Sequence, residues 1–195
     1  MMEQGSDSWH DWRSEGLGAS DAAVVMGVSP FMDTDRLLLE LTGQAQPQDT
    51  TFAMRRGLRL EPVARVAYER RFGLRMTPCC VQHDRHPWMR ASLDGLSRRG
   101  DLVLEIKAPN EKAHAEALGG VVPAYYYPQC QHQLAVTECR YLHYWSMTEH
   151  SRFTEDEKYA LVWVSPNPEY IAELIDAEGE FWRIVVEARK QLVGV

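Results

Sequence analysis

A chain of 195 residues with 45% apolar and 10% aromatic residues is long enough for one domain with a sizeable core and short for two. No run approaches the apolar length of a transmembrane helix, and the opening MMEQGSDSWHDW has neither the basic start nor the apolar stretch of a signal peptide, so a cytoplasmic protein is expected. The net charge of -7 argues against a non-specific coat for nucleic acid, since a polyanion responds to the summed field of a protein.

The charge is unevenly placed. Residues 51–112 hold thirteen Arg or Lys against seven Asp or Glu, whereas the rest of the chain holds eight against twenty-one. One face can therefore meet a polyanion, although Arg55, Arg56, Arg59, Arg65, Arg70, Arg71 and Arg75 would equally serve to solvate a helix. Cys79, Cys80, Cys130 and Cys139 show no CxxC spacing, which points to reduced thiols.

Ser8 to Arg13 is a short tryptophan-bearing lead. After Gly16-Leu17-Gly18-Ala19, Ser20 has the chemistry of an N-cap with Asp21 in the first helical turn, and Gly27 stops that helix. Leu37, Leu38 and Leu41 give a second helix ending near Gly43, and Gln44 to Thr50 is a polar loop. Thr51 to Phe72 is helical, with Leu58, Val63, Ala67 and Phe72 inward and a kink or restart at Pro62. Two strands follow, Met89 to Leu96 and Leu102 to Ala108; alternation puts Leu102, Leu104 and Ile106 on one face of the second and Val103, Glu105 and Lys107 on the other. A helix over Glu111 to Leu118 precedes another from Pro123 through Ala135, interrupted or distorted at Pro128. Strands over Arg140 to Met147 and Lys158 to Val164 lead to Asn167-Pro168, which starts a final helix with Ile171, Leu174, Ile175, Trp182, Val185 and Val186 inward.

Phosphodiester hydrolysis needs a positioned water and a cation that offsets charge on the phosphoryl oxygens, and magnesium prefers carboxylate, carbonyl and water oxygens. Asp94, Glu105 and the Ile106 carbonyl form such a ligand set, with Lys107 placed to orient the attacking water and favour its deprotonated form. This D-x10-E-x-K spacing also suits a surface ion pair. Context favours the chemistry: Glu105 and Lys107 interrupt the apolar strand LVLEIKAP, where charges are costly unless paired or metal-bound.

RGLRLEPVARVAYERRFG, HPWMRASLDGL, LVLEIKAPN and PAYYYPQCQHQLAVT resemble, in order and spacing, the phage lambda exonuclease family, or YqaJ-type viral recombinases, within the PD-(D/E)xK nucleases. WHDWRSEGLGASDAAVVMGVSPF is similar to that family's opening motif, so the resemblance covers most of residues 9–137. It implies an α/β (α+β) fold with a restriction-endonuclease-like core, a central mixed β-sheet flanked by helices. One exonuclease domain over 1–195 would comprise a 5'-phosphate-binding region at about 8–43, a catalytic core at about 51–165 and a carboxy-terminal helix at about 168–191.

The implied activity is magnesium-dependent 5' to 3' digestion of linear duplex DNA, with manganese as a substitute, releasing 5'-mononucleotides and leaving a 3' single strand for recombination. Asp94 and Glu105 match the metal carboxylates, Lys107 the catalytic lysine, Glu61 the assisting helix glutamate and Gln129 a glutamine beside the centre. Arg13, Ser20 and Ser92 match a 5'-phosphate pocket. Implied partners are 5'-phosphorylated duplex ends, two further copies in a homotrimeric ring, and a single-strand annealing recombinase of the Red beta or RecT type, in a bacterial host cell. Three carboxylates leave open one ion or two.

A structure-specific endonuclease would use the same Asp94, Glu105 and Lys107, and a catalytically silent DNA-binding module would keep only the basic face. Cys79, Cys80, His83 and His86 do not match common zinc spacings. Trp9, Trp12 and Trp88 suit packing, with Trp12 near Arg13 the exception that could meet a DNA end. Gln131 and His132 read as a solvated polar face, and His114, His143 and His150 have no partner legible in the chain.

Overall fold

Side-chain caps and left-handed glycines set most helix boundaries. A computed structural model of the protein describes residues 5–46 and 51–194, so residues 47–50 of the anticipated polar loop lie outside the described residues. In chain order the elements are α1 (Asp7–Ser14), β1 (Leu17–Gly18), a 3-10 turn (Ala19–Asp21) running into α2 (Ala22–Val25), α3 (Thr34–Leu41), α4 (Phe52–Phe72), β2 (Met76–Gln82), β3 (Met89–Ser97), β4 (Leu102–Lys107), α5 (Glu111–Leu118), α6 (Tyr127–Thr137), β5 (Tyr141–Met147), β6 (Tyr159–Val164) and α7 (Pro168–Val193). Asn110 caps α5 and Asn167 caps α7, each accepting from a backbone N–H three residues on.

The sheet runs β1-β3-β4-β5-β6, with β2 also paired to β3. β1 lies parallel to β3 and β4 parallel to β5, while the remaining pairs are antiparallel, so the sheet is mixed as the resemblance implies. On one face Leu60, Ala64 and Tyr68 of α4 pack on Leu104, Ile106 and Trp145; on the other Cys130 and Leu134 of α6 pack on Val103, Leu142 and Val162. A third cluster ties Phe181 and Val185 of α7 to Leu17, Val24 and Leu37.

β3 carries two irregularities that shape the centre of the sheet. Thr77 pairs with Leu96 and Cys79 with Leu93, so Asp94 and Gly95 stand opposite Pro78 alone, a bulge that re-aims the Asp94 side chain. Along the other edge of β3, β1 pairs at Met89 and Arg90 and β4 at Gly95 and Leu96. A gap between β1 and β4 therefore flanks residues 91–94.

Several sequence expectations are corrected. Leu58 and Val63 are 68% and 52% exposed, because the stripe that meets the sheet is Leu60, Ala64 and Tyr68. Pro62 neither ends nor restarts α4, which runs through it. Pro128 lies in the first turn of α6, where a missing N–H breaks no helical bond, and residues 123–126 form a turn instead of helix. Ser20 is exposed within the 3-10 turn and is no N-cap; the Asp21 carboxylate accepts from Gly18 N at 2.9 Å instead. The inward stripe of α7 includes buried Glu178 and Phe181, while Trp182 and Val186 are half-buried. Among the described residues no helix is long and apolar enough to cross a membrane.

Candidate active site

The period-2 alternation of β4 sends Val103, Glu105 and Lys107 to the α6 face, as their spacing requires. Lys107 Nζ lies 2.6 Å from Glu105 Oε1, and the Gln129 amide donates to the same oxygen at 2.7 Å. Four residues on along α6, Gln133 donates to Glu105 Oε2 at 2.6 Å. Glu105 is only 2% exposed, so these donors are what make its burial tolerable. The Tyr126 ring sits 5.1 Å from the Lys107 ammonium, a cation–π contact that fixes the lysine from the helix side.

Asp94 joins this group across the strand gap. Its Oδ2 accepts from Ile106 N at 2.7 Å, taking a donor that the ended β3–β4 ladder leaves available. Arg65 Nε donates to the Asp94 carbonyl at 2.8 Å, and the Arg65 guanidinium pairs with Glu61 one helical turn earlier. Arg65 was legible only as one more helix arginine; its four-residue spacing from Glu61 was the available signal.

Burial, then the neighbouring Glu105 and Glu61 charges, push the Asp94 carboxyl well above the ordinary carboxylate range, against the pull of Lys107 and the Ile106 N–H. Burial also raises Glu61, with Arg65 opposing it and Glu105 reinforcing it. For Lys107 burial acts downward, but Glu105 and Asp94 outweigh it and hold the ammonium above its usual value. Three carboxylates thus face two cationic side chains. Among the described residues, no three His, Cys, Asp or Glu side chains already stand as a gathered metal cage.

The phosphate-pocket candidates are less tightly grouped. Arg13 pairs with Asp21 at 2.7 Å and lies against Gly18, where any Cβ would overlap the guanidinium. Ser92 Oγ accepts from Trp9 Nε1 at 2.8 Å, and Ser20 is exposed without contributing to either contact. Trp12 lies beneath Arg90, whose guanidinium is 5.1 Å from its ring and also reaches Glu15 at 3.2 Å. Arg90 was not singled out by the sequence.

Gln131 and His132 are fully buried, which corrects the solvated-face reading of α6. Gln131 accepts from Asn167 N at 2.9 Å and donates to the Ser165 carbonyl at 3.1 Å. His132 Nδ1 meets both Glu178 oxygens at 2.8 and 3.0 Å, and its Nε2 meets the Arg90 carbonyl at 3.1 Å. The other histidines also have partners: His114 with Ser146, His143 with Tyr68, and His150 with Glu111.

The model for the YqaJ-like viral recombinase domain matches residues 8–140. An uncharacterized protein YqaJ from Bacillus subtilis (strain 168) is 26% identical over 185 residues, 92% of this chain and 56% of that protein. Uncharacterized protein R354 of Acanthamoeba polyphaga mimivirus is 29% identical over 152 residues, 71% of this chain and 28% of its own length, so the chain spans about half or less of these relatives. Among solved structures, an alkaline exonuclease from Laribacter hongkongensis superposes with a TM-score of 0.83 at 27% identity, covering 96% of both chains. A phage related exonuclease from Haemophilus somnus 129PT shares the fold, with a TM-score of 0.66 at 14% identity over 92% of this chain and 95% of that one. The chain belongs to the YqaJ-like viral recombinase domain family.

Proposed function

We propose that this protein is a magnesium-dependent 5' to 3' exonuclease on linear duplex DNA, releasing 5'-mononucleotides and leaving a 3' single strand. The observation that carries the reading is the convergence of Asp94, Glu105 and Lys107 at the β3–β4 gap, with Glu61 beside them. Similarity to an alkaline exonuclease, also crystallised with dAMP, supports a nuclease that handles nucleoside monophosphates.

The donor set fits a hard divalent cation: burial and then the neighbouring Glu105 and Glu61 charges raise Asp94, a nearby positive charge would offset both, and Asp94, Glu105, Glu61 and the Ile106 carbonyl would supply oxygen ligands. Such an ion, magnesium or manganese, would polarise the phosphoryl oxygens and lower the pKa of a bound water. Lys107 orients the attacking water and stabilises its deprotonated form; Gln129 and Tyr126 hold the groups on which that orientation depends. The water oxygen bonds to phosphorus as the P–O3' bond breaks, and the departing 3' oxygen takes a proton from solvent. Ser92, two residues before Asp94 on β3 and hence roughly 6.6 Å along the strand, would hold the terminal 5' phosphate with Arg13. That spacing is of the size of one nucleotide and suits release of mononucleotides.

A homotrimeric ring with the basic 51–112 stretch inward would give processivity, and an annealing recombinase would receive the 3' strand. Light scattering that finds only monomer at assay concentration would sink the ring. Catalysis is tested by nucleotide release from linear and covalently closed duplex with magnesium. Wild type should degrade the linear form and spare the circle, and Glu105→Gln or Lys107→Ala should lose about 10²–10⁴-fold in rate. Undiminished turnover in both variants would refute the assignment.

A further inference from the structure

Glu105 is held from two sides by one helix. Lys107 and Gln129 occupy Oε1 at 2.6 and 2.7 Å, which uses both in-plane lone pairs of that oxygen. Gln133 occupies Oε2 at 2.6 Å from within the core, where it has no exposed surface. The two glutamines stand four residues apart on α6, so a single rigid element grips both carboxylate oxygens and fixes the plane of the group.

The Gln133 amide is oriented for this contact at a cost to itself. Its own Oε1 is buried without a hydrogen-bond partner, as is the Tyr144 hydroxyl on the strand position paired with Glu105. Flipping the amide would set its carbonyl oxygen against a Glu105 oxygen at the same short distance, so the contact with Glu105 fixes which end of the amide faces it. A glutamine serving the core alone would satisfy both ends, as Gln131 does with Ser165 and Asn167 two residues earlier.

We propose that Gln133 is a positioning residue for the nuclease centre, holding Oε2 so that Glu105 presents one fixed face to Lys107 and to a divalent cation. The inference rests on the nuclease reading above. Without Gln133 the carboxylate can rotate about its last torsion, and both the lysine and the ligand geometry loosen.

The matched comparison is Gln133→Met against Gln131→Met, two buried amides on the same helix of which only the first touches Glu105. Magnesium binding to the protein without DNA is followed by isothermal titration calorimetry, and kcat and KM for linear duplex are measured separately. Both variants should melt earlier. Gln133→Met should also weaken magnesium binding and lower kcat, each by about 10–100-fold, with KM for DNA little changed. Gln131→Met should keep wild-type magnesium affinity and kcat. If Gln133→Met does not fold, Gln133→Asn, which keeps the amide but withdraws it by one methylene, should show the same loss in smaller measure.

Wild-type magnesium affinity and kcat in a folded Gln133 variant would overturn the proposal, as would equal losses in the Gln131 control. Absence of magnesium-dependent cleavage by the wild type would instead overturn the nuclease reading, a separate outcome.

Discussion

His143 gives the sharpest test of the buried electrostatics, because its surroundings offer nothing to a charged imidazole. It is 3% exposed among the rings of Tyr68, Phe72 and Trp163, the last with its centroid 4.1 Å away. Burial pushes the Tyr68 phenol up to about 12, so the hydroxyl keeps its proton beside His143 Nδ1, 2.5 Å away. Nε2 has no polar partner. Burial accordingly lowers His143 from the ordinary 6.5 to about 4.

The sign follows from proton counting. Between those two values the unfolded chain binds a proton that the folded chain refuses, so the contribution is fully present above the unfolded value and lost as pH falls toward the folded one. Moving from about pH 7.5 to about pH 4.5 should remove about 2.5 kcal/mol, or about 5–10 °C in melting temperature for a chain of this size. Calorimetric or urea unfolding of wild type and His143→Gln across that range isolates the effect. Glutamine still offers Tyr68 an acceptor but does not titrate, and the raised carboxyls of Asp94, Glu61 and Glu178 cancel in the difference. Wild type should lose more stability on acidification than the variant by that amount. Curves parallel within about 0.5 kcal/mol would refute the reasoning.

The His132–Glu178 pair, with neither side chain exposed, should behave as a coupled buried polar pair: Glu178→Leu is expected to cost about 3–5 kcal/mol in denaturant unfolding, and adding His132→Leu should recover part of it. Strictly additive losses would show that the two do not act as a unit. At Gly18 an alanine Cβ would displace the Arg13 guanidinium. Gly18→Ala should therefore erase any preference for 5'-phosphorylated over 5'-hydroxyl duplex ends in a competition digest; a retained preference would remove Arg13 from the phosphate pocket.

How much was legible depended on whether a residue's partner was near in sequence. Glu105 and Lys107 sit on a strand whose alternation is unambiguous, so their adjacency followed from period alone. Glu61 had no such signal and was found only through the family motif. On α4 apolar residues occur on more than one face, and the stripe that packs, Leu60, Ala64 and Tyr68, mixes a small residue with a polar aromatic one, which hid it behind Leu58 and Val63. Gln131 and His132 read as solvated because polarity was weighed without partners. Each is buried through a group supplied from elsewhere: the Ser165–Asn167 turn and Glu178. Ser20 failed for the opposite reason, since a strong local capping type was outcompeted by Asp21, which satisfies Gly18 N and Arg13 together.

The β3 bulge links stability to the candidate chemistry. A gap between β1 and β4 leaves main-chain groups at and beside residues 91–94, and at the Lys107 end of β4, without a partner along that edge, and a buried polar backbone group needs one. Side chains supply it: Asp94 accepts from Ile106 N, Arg65 donates to the Asp94 carbonyl, and His132 Nε2 meets the Arg90 carbonyl. These side chains are charged or strongly polar, so closing the gap in the hydrogen-bond ladder is the same event as assembling the charges. Arg65 pairs Glu61 and His132 pairs Glu178, which extends the arrangement to α4 and α7. A regular β3–β4 ladder would satisfy the backbone without any of them and would leave no opening for a phosphate. The opening and the helices' buried charges therefore stand or fall together, which is why substitutions at Arg65 or His132, neither among the proposed metal ligands, should disturb both folding and the proposed cleavage.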